Sequence, residues 1–205
     1  MNTIRHVFLD ADGVVQVPSV RFRDALGELA GDASRAEAFL ADVFEAERPC
    51  TTGERDFRVE LERVLREWSS PVALEDALSV WTLIDPHPST LSFVEGARRA
   101  GYSVALATNQ QAHRAAFMTE VLGYRERFDR LFFSCELGVA KPDPAFFEAM
   151  VREVGAMPAE CLFVDDHPGN VEAARSVGLM AECYHVDDGE DALLRLMTNH
   201  GISPA

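Results

Sequence analysis

The chain has 205 residues, 47% of them apolar and 26% charged, an ordinary globular composition with room for one large domain or a domain carrying an insert. Its net charge of −15, with no basic run, argues against nucleic acid and anionic membrane surfaces as partners, and no apolar stretch approaches the ~20 residues that span a bilayer. Eighteen of the 19 basic side chains are Arg, and the one lysine is Lys141.

The opening residues reach Asp10 and Asp12 too early for the apolar segment of a secretory signal. Four widely separated cysteines, with no C-x-x-C, fit reduced and mostly buried thiols, and both features predict a cytoplasmic protein. The first apolar run, 4–9, predicts a buried strand that ends in Asp10-Ala11-Asp12-Gly13. From Val15 to Pro88 the pattern is helical only. Its stripes are Phe22, Leu26 and Leu29; Phe39, Leu40, Val43 and Phe44; Phe57, Leu61, Val64, Leu65 and Trp68; and Leu74, Leu78 and Trp81. Thr51 and Glu54 have the spacing of a capping box ahead of the third stripe. The interval is too long for a simple crossover, so it predicts an inserted four-helix domain, 15–88, whose aromatic residues form its own core. Proline-bearing connections at both ends make a hinge, and 1–14 with 89–205 form the rest of the fold.

After the insert, short apolar runs at 103–107, 130–134, 161–164 and 179–184 alternate with helical segments. Asp143-Pro144 opens one helix and Gly155 closes it; Pro168 opens another and Gly178 closes it; Gly101 and Gly123 end two more. The alternation predicts an α/β fold with a parallel sheet covered on both faces.

Open parallel sheets bind ligands beyond the carboxyl ends of their strands. Those ends carry Asp10, Asp12, Thr108, Asn109, Asp165 and Asp166, while Lys141 follows the third strand and Asn170 lies four residues past Asp166. Each is ordinary alone: Asp-Gly is turn chemistry, and Asp-Asp before a proline-started helix satisfies its N-terminus. Together they bring four carboxylates, a hydroxyl, an amide and an ammonium to one edge.

In this order, Asp10-x-Asp12-Gly13, Thr108-Asn109, Lys141-Pro142 and Asp165-Asp166-x-x-x-Asn170 resemble the four motifs of the haloacid dehalogenase superfamily. The stretches 138–144 and 162–166 are similar to its members with a helical cap inserted after the first motif. The resemblance implies a Rossmann-like three-layer core with a five-stranded parallel sheet in the order 5-4-1-2-3, beside an all-helical cap. It also implies a Mg²⁺-dependent phosphatase acting on a small soluble phosphate monoester. Asp10 would be the nucleophile that becomes an aspartyl phosphate, and Asp12 the general acid and base that dehalogenases of the family lack. Thr108 and Asn109 would bind the phosphoryl group or substrate, and Lys141 would neutralise charge. Asp10, the main chain of Asp12 and Asp166 would bind Mg²⁺, Asp165 would complete or orient that shell, and Asn170 would steady it.

Three rivals remain: a dehalogenase, against which Asp12 argues; a phosphomutase, which would share all four motifs; and a non-enzymatic phospho-aspartate switch. The sequence leaves monomer and homodimer open. His167 reads as a helix cap, His113 lies on the helix after Thr108-Asn109, and Arg48 and Glu54, flanking the 49–53 loop, stay outside the site.

Overall fold

The structure is a computed structural model and describes residues 3–203. In chain order the elements are β1 (His6–Leu9), β2 (Gln16–Pro18), α1 (Phe22–Glu28), α2 (Ala36–Glu47), α3 (Phe57–Glu67), α4 (Leu74–Val80), β3 (Ile84–Pro86), α5 (Pro88–Arg99), β4 (Ser103–Thr108), α6 (Ala112–Glu120), α7 (Tyr124–Arg127), β5 (Arg130–Phe133), α8 (Ser134–Leu137), α9 (Pro144–Val154), β6 (Cys161–Asp165), α10 (Pro168–Ser176), β7 (Met180–Cys183) and α11 (Glu190–Asn199).

Five strands form one parallel sheet in the order β5-β4-β1-β6-β7. Counting these core strands alone and starting from β7, this is the predicted order 5-4-1-2-3. Alternation along β1 sends Val7 and Leu9 to one face, where they pack with Val104, Leu106, Leu162 and Val94 of α5. Phe8 goes to the other face with Ala105, Phe163, and Phe146 and Phe147 of α9. Both faces are therefore covered by helices, which gives three layers. Asp143 accepts from Ala145 N at 2.9 Å as the N-cap of α9, and Gly155 ends that helix with φ 67°.

Residues between β2 and β3 fold as four helices with a third apolar cluster of their own, built on Phe39, Val43, Leu61, Val64, Leu78 and Trp81. Four predicted details differ. The interval contains two strands: β2 and β3 pair antiparallel, with Gln16 opposite Pro86 and Pro18 opposite Ile84. Three-residue strands with terminal prolines, paired across a whole helical segment, leave no local alternation to read. Thr51 and Glu54 do not cap α3. Gly53 turns the chain at φ 73°, and Asp56 is the N-cap, accepting from Arg58 N at 2.8 Å. Phe44 is half exposed, because the buried face of α2 runs through Phe39, Val43 and Ala46. Cys183 is exposed, while Cys50 and Cys161 are buried, and all four cysteines are free thiols. Among the described residues no helix is long and apolar enough to cross a membrane.

Phe39 is fully buried and meets Trp68 edge-on at 5.7 Å. Phe39→Ala is expected to lower stability by about 3–5 kcal/mol, and Phe44→Ala by less than about 1 kcal/mol. Urea titration of both variants checks the contrast.

Candidate active site

The parallel register places the carboxyl ends of β1, β4 and β6 side by side. Asp10 directly follows β1, Thr108 ends β4 and Asp165 ends β6. The Lys141 ammonium reaches all three segments. It donates to Asp10 Oδ1 at 2.7 Å, Asp165 Oδ2 at 2.6 Å and the Ala107 carbonyl at 2.9 Å. All three of its protons are used. Lys141 and both carboxylates are buried.

Burial pushes Asp10 up to about 6 against the pull of the Lys141 ammonium, and the neighbouring Asp165 adds to the rise. Burial opposes the charge on Lys141, yet Asp10 and Asp165 outweigh it and hold the ammonium above its ordinary value. The hydrogen bond to the Asp10 carboxylate, from Lys141, falls on Oδ1.

Asn109 grips the lysine from behind. Its Oδ1 accepts from Lys141 N and its Nδ2 donates to Lys141 O, both at 2.8 Å. The side chain expected on the phosphoryl group thus fixes the main chain of Lys141. Thr108 is buried, and its hydroxyl lies 3.4 Å from Gln110 Nε2.

Asp165 is saturated. Oδ1 accepts from His167 N at 2.8 Å and Asn170 Nδ2 at 3.0 Å, while Oδ2 accepts from Lys141 and from Asn170 Nδ2 at 3.1 Å. Asn170 Nδ2 thus reaches both oxygens of Asp165. Asp166 is the exposed member of the pair. Burial raises its pKa and Asp165 raises it further, while His185 lowers it. Gly13, at φ 81°, lets Asp166 in: a Cβ there would stand 2.8 Å from Asp166 Oδ2 and 3.0 Å from the His185 ring.

Oxygens of Asp10, Asp165 and Asp166 all lie within 4.8 Å of one another. This all-carboxylate set, with raised pKa values at Asp10 and Asp166, fits a hard divalent cation such as Mg²⁺ better than a thiophilic metal.

Asp12 sits beside this cluster and is pinned by side chains that motif spacing did not reveal. Arg114 donates from both terminal nitrogens, at 2.8 and 2.9 Å, Gln110 at 2.8 Å and Gln16 at 3.0 Å. Ser134 links the site to the helical segment. Its hydroxyl donates to Thr51 O at 2.5 Å and accepts from Gln110 N at 3.0 Å. Next to that bridge, Gly53 comes so close to the core that a Cβ would meet Cys135 O at 2.4 Å.

The remaining sequence candidates fall outside the cluster. His167 caps α10 through Nδ1, and His113 touches the Leu78 carbonyl of α4 at 3.1 Å. Arg48 pairs with Glu45 on the surface, and Glu54 accepts from Thr52 at 3.0 Å.

A family model of haloacid dehalogenase-like hydrolases matches residues 4–178. The chain is 36% identical over 72 residues to the chloroplast protein flavin mononucleotide hydrolase 1 of Arabidopsis thaliana, covering 35% of this chain and 28% of that one. It is 30% identical over 107 residues to D-ribitol-5-phosphate phosphatase of Bacteroides thetaiotaomicron, covering 49% and 50%. The chain thus spans at most about half the length of these curated relatives. A haloacid dehalogenase family enzyme of Bacteroides thetaiotaomicron, solved as a magnesium complex, superposes with a TM-score of 0.79 at 19% identity, over 95% of this chain and all of that one. Four motif segments gathered at one sheet edge and a family match over most of the chain lead to one conclusion: the protein belongs to the haloacid dehalogenase-like hydrolases.

Proposed function

We propose that the protein is a Mg²⁺-dependent phosphatase that hydrolyses a small phosphate monoester through an aspartyl phosphate on Asp10. The observation that carries this reading is the Lys141 ammonium held between Asp10 and Asp165, with Asp166 and Asp12 alongside. That arrangement offers a carboxylate nucleophile, a fixed positive charge and a second carboxylate two residues on. Named relatives acting on flavin mononucleotide and ribitol 5-phosphate support a phosphate ester as substrate.

Asp10 Oδ2 attacks phosphorus, forming an O–P bond as the ester P–O bond breaks. Asp12 gives a proton to the departing alkoxide and later takes one from the water that cleaves the aspartyl phosphate. The presence of Asp12 favours this chemistry over carbon–halogen cleavage. Lys141 holds Oδ1 of Asp10 and so orients Oδ2. Thr108, at the end of β4, supplies a hydroxyl to the phosphoryl oxygens, while Asn109 acts through the lysine that it holds.

Asp10, Asp166 and the main-chain carbonyl of Asp12 would hold Mg²⁺, and Asp165, with all four acceptor positions engaged, orients that set through Lys141 and Asn170. Bound there, the ion supplies positive charge to the transferring phosphoryl group. The helical segment, 15–88, acts as a cap on the β2–β3 ladder and excludes water from the transfer.

Phosphate release from a panel of phosphate monoesters tests the reading. Mg²⁺-dependent turnover that EDTA removes and that Asp10→Asn lowers by at least about 10³-fold is expected; no Asp10-dependent turnover on any ester would sink it. Lys141→Arg is expected to fold but lose at least about 10²-fold in kcat, because a planar fork cannot replace a point charge among three acceptors. Near wild-type kcat would show that any cation suffices.

Stability gives a further check. In EDTA the folded chain keeps the Asp10 proton to about pH 6, whereas the unfolded chain releases it near pH 4. The folded state thus binds more protons in this window, and stability falls as pH rises from about 4 to about 6, by up to about 3 kcal/mol. Urea titrations should show that slope in the wild type and a flatter one in Asp10→Asn.

A further inference from the structure

One of the side chains that hold Asp12 has its own orientation set by a buried phenol. Gln16 Nε2 donates to Asp12 Oδ1 at 3.0 Å, and Tyr124 Oη donates to Gln16 Oε1 at 3.0 Å. Tyr124, Gln16 and Asp12 therefore form one line of hydrogen bonds that starts in the core and ends at the site.

The main chain fixes where Gln16 stands. Its N–H donates to the Ala11 carbonyl at 2.9 Å, and its carbonyl accepts from Gly13 N at 2.8 Å. It does not fix how the amide is turned. Gln16 is fully buried, and a half-turn of the amide would exchange Oε1 and Nε2 with no change of shape. An amide oxygen would then face the Asp12 carboxylate, acceptor against acceptor. In the orientation found, Nε2 serves Asp12 and lies 3.7 Å from Met118 Sδ, while Oε1 takes the phenol proton.

Tyr124 is placed to remain a donor. It begins α7, is fully buried, and meets the Phe128 ring edge-on at 5.5 Å. Burial raises the pKa of the phenol and the Asp12 charge raises it further, so the hydroxyl keeps its proton. Without that hydroxyl, Gln16 Oε1 would be a buried acceptor with no donor, a cost the side chain relieves by turning or moving away.

The other donors to Asp12 cannot take over this part. Arg114 and Gln110 both come from the segment after β4, whereas Gln16 opens β2. Of the three donor residues, Gln16 is thus the one that holds the carboxylate from a different segment. Its loss would let Asp12 turn with the other two.

We propose that Tyr124 is a positioning residue that locks the Gln16 amide with Nε2 on Asp12, and so aims the Asp12 carboxylate at the leaving-group oxygen. The proposal rests on the phosphatase reading and adds to it a residue that acts wholly through another side chain.

The test compares kcat/KM, which reports transfer to Asp10, for two esters. The alkoxide of β-glycerophosphate needs a proton as it leaves, and the phenolate of p-nitrophenyl phosphate needs little help. Tyr124→Phe keeps the ring and removes the hydroxyl. It should lower kcat/KM by about fivefold or more for the alkyl ester and by less than about twofold for the aryl ester. Gln16→Met, similar in shape but without a donor, should show the same selectivity, and adding Tyr124→Phe to it should cause no further loss. Unselective loss or no loss in either single variant, or multiplicative losses in the combined one, would overturn the proposal.

If no ester is hydrolysed in an Asp10-dependent way, the phosphatase reading fails, and the line of contacts is judged on folding. In urea titrations the effects of Tyr124→Phe and Asp12→Asn should then be non-additive in the presence of Gln16 and additive with Gln16→Met. Any other pattern would overturn it.

Discussion

The site depends on one buried ammonium. Lys141 Nζ ties the ends of β1, β4 and β6 together through Asp10, the Ala107 carbonyl and Asp165. Two carboxylates buried this close could not both stay ionised without it, and a buried cation without them would be as costly. The surrounding side chains hold this three-way contact in place. Asn109 fixes the lysine main chain, and Asn170 with His167 N fixes Asp165. The four motif segments therefore act as one hydrogen-bonded unit rather than as four neighbouring groups. Asp10 is held on one oxygen only, so the same contact that neutralises it also aims it.

Asp12 belongs to a different unit, which includes the β2–β3 ladder. Gln16 begins β2, the first strand of the ladder that carries the helical segment, and it donates to Asp12. Gln110 donates to Asp12 as well, and its main chain meets the Ser134 hydroxyl that binds Thr51 O of the helical segment. Arg114 completes the set from α6, whose His113 also touches α4. Every side chain on Asp12 is thus one or two contacts from the helical segment, whereas the side chains on Lys141 belong to the core. The helical segment is therefore joined to Asp12 more directly than to Asp10.

This division explains which parts could be read from sequence. Asp10, Asp165, Asp166 and Asn170 lie at fixed offsets from short apolar runs, and Gly13, Asp143, Gly155 and Gly178 punctuate them, so local pattern placed both sheet and cluster. The side chains around Asp12 carry no such signal. Arg114 is one of eighteen arginines and sits on a helix where an arginine reads as a solvated face. Gln16 and Gln110 are common residue types. Asn109 stands at a strand end that the pattern marks, but its two bonds to a main chain 32 positions away leave no trace in one dimension. Thr51 and Glu54 have capping-box spacing, yet Pro49 and Gly53 turn the chain within that stretch, and the helix waits for Asp56.

The two cations nearest the chemistry differ in a way that suits their places. The lysine spends three protons on three acceptors from three strands, and no movement frees one bond without weakening the others. The arginine spends two parallel N–H groups on one planar carboxylate. A chain that uses Arg for every other basic position thus places its one ammonium where three acceptors from three segments converge, and a guanidinium fork where one planar carboxylate is met. The lysine contact thus fixes where Asp10 stands, and the arginine contact fixes how the Asp12 carboxylate is turned.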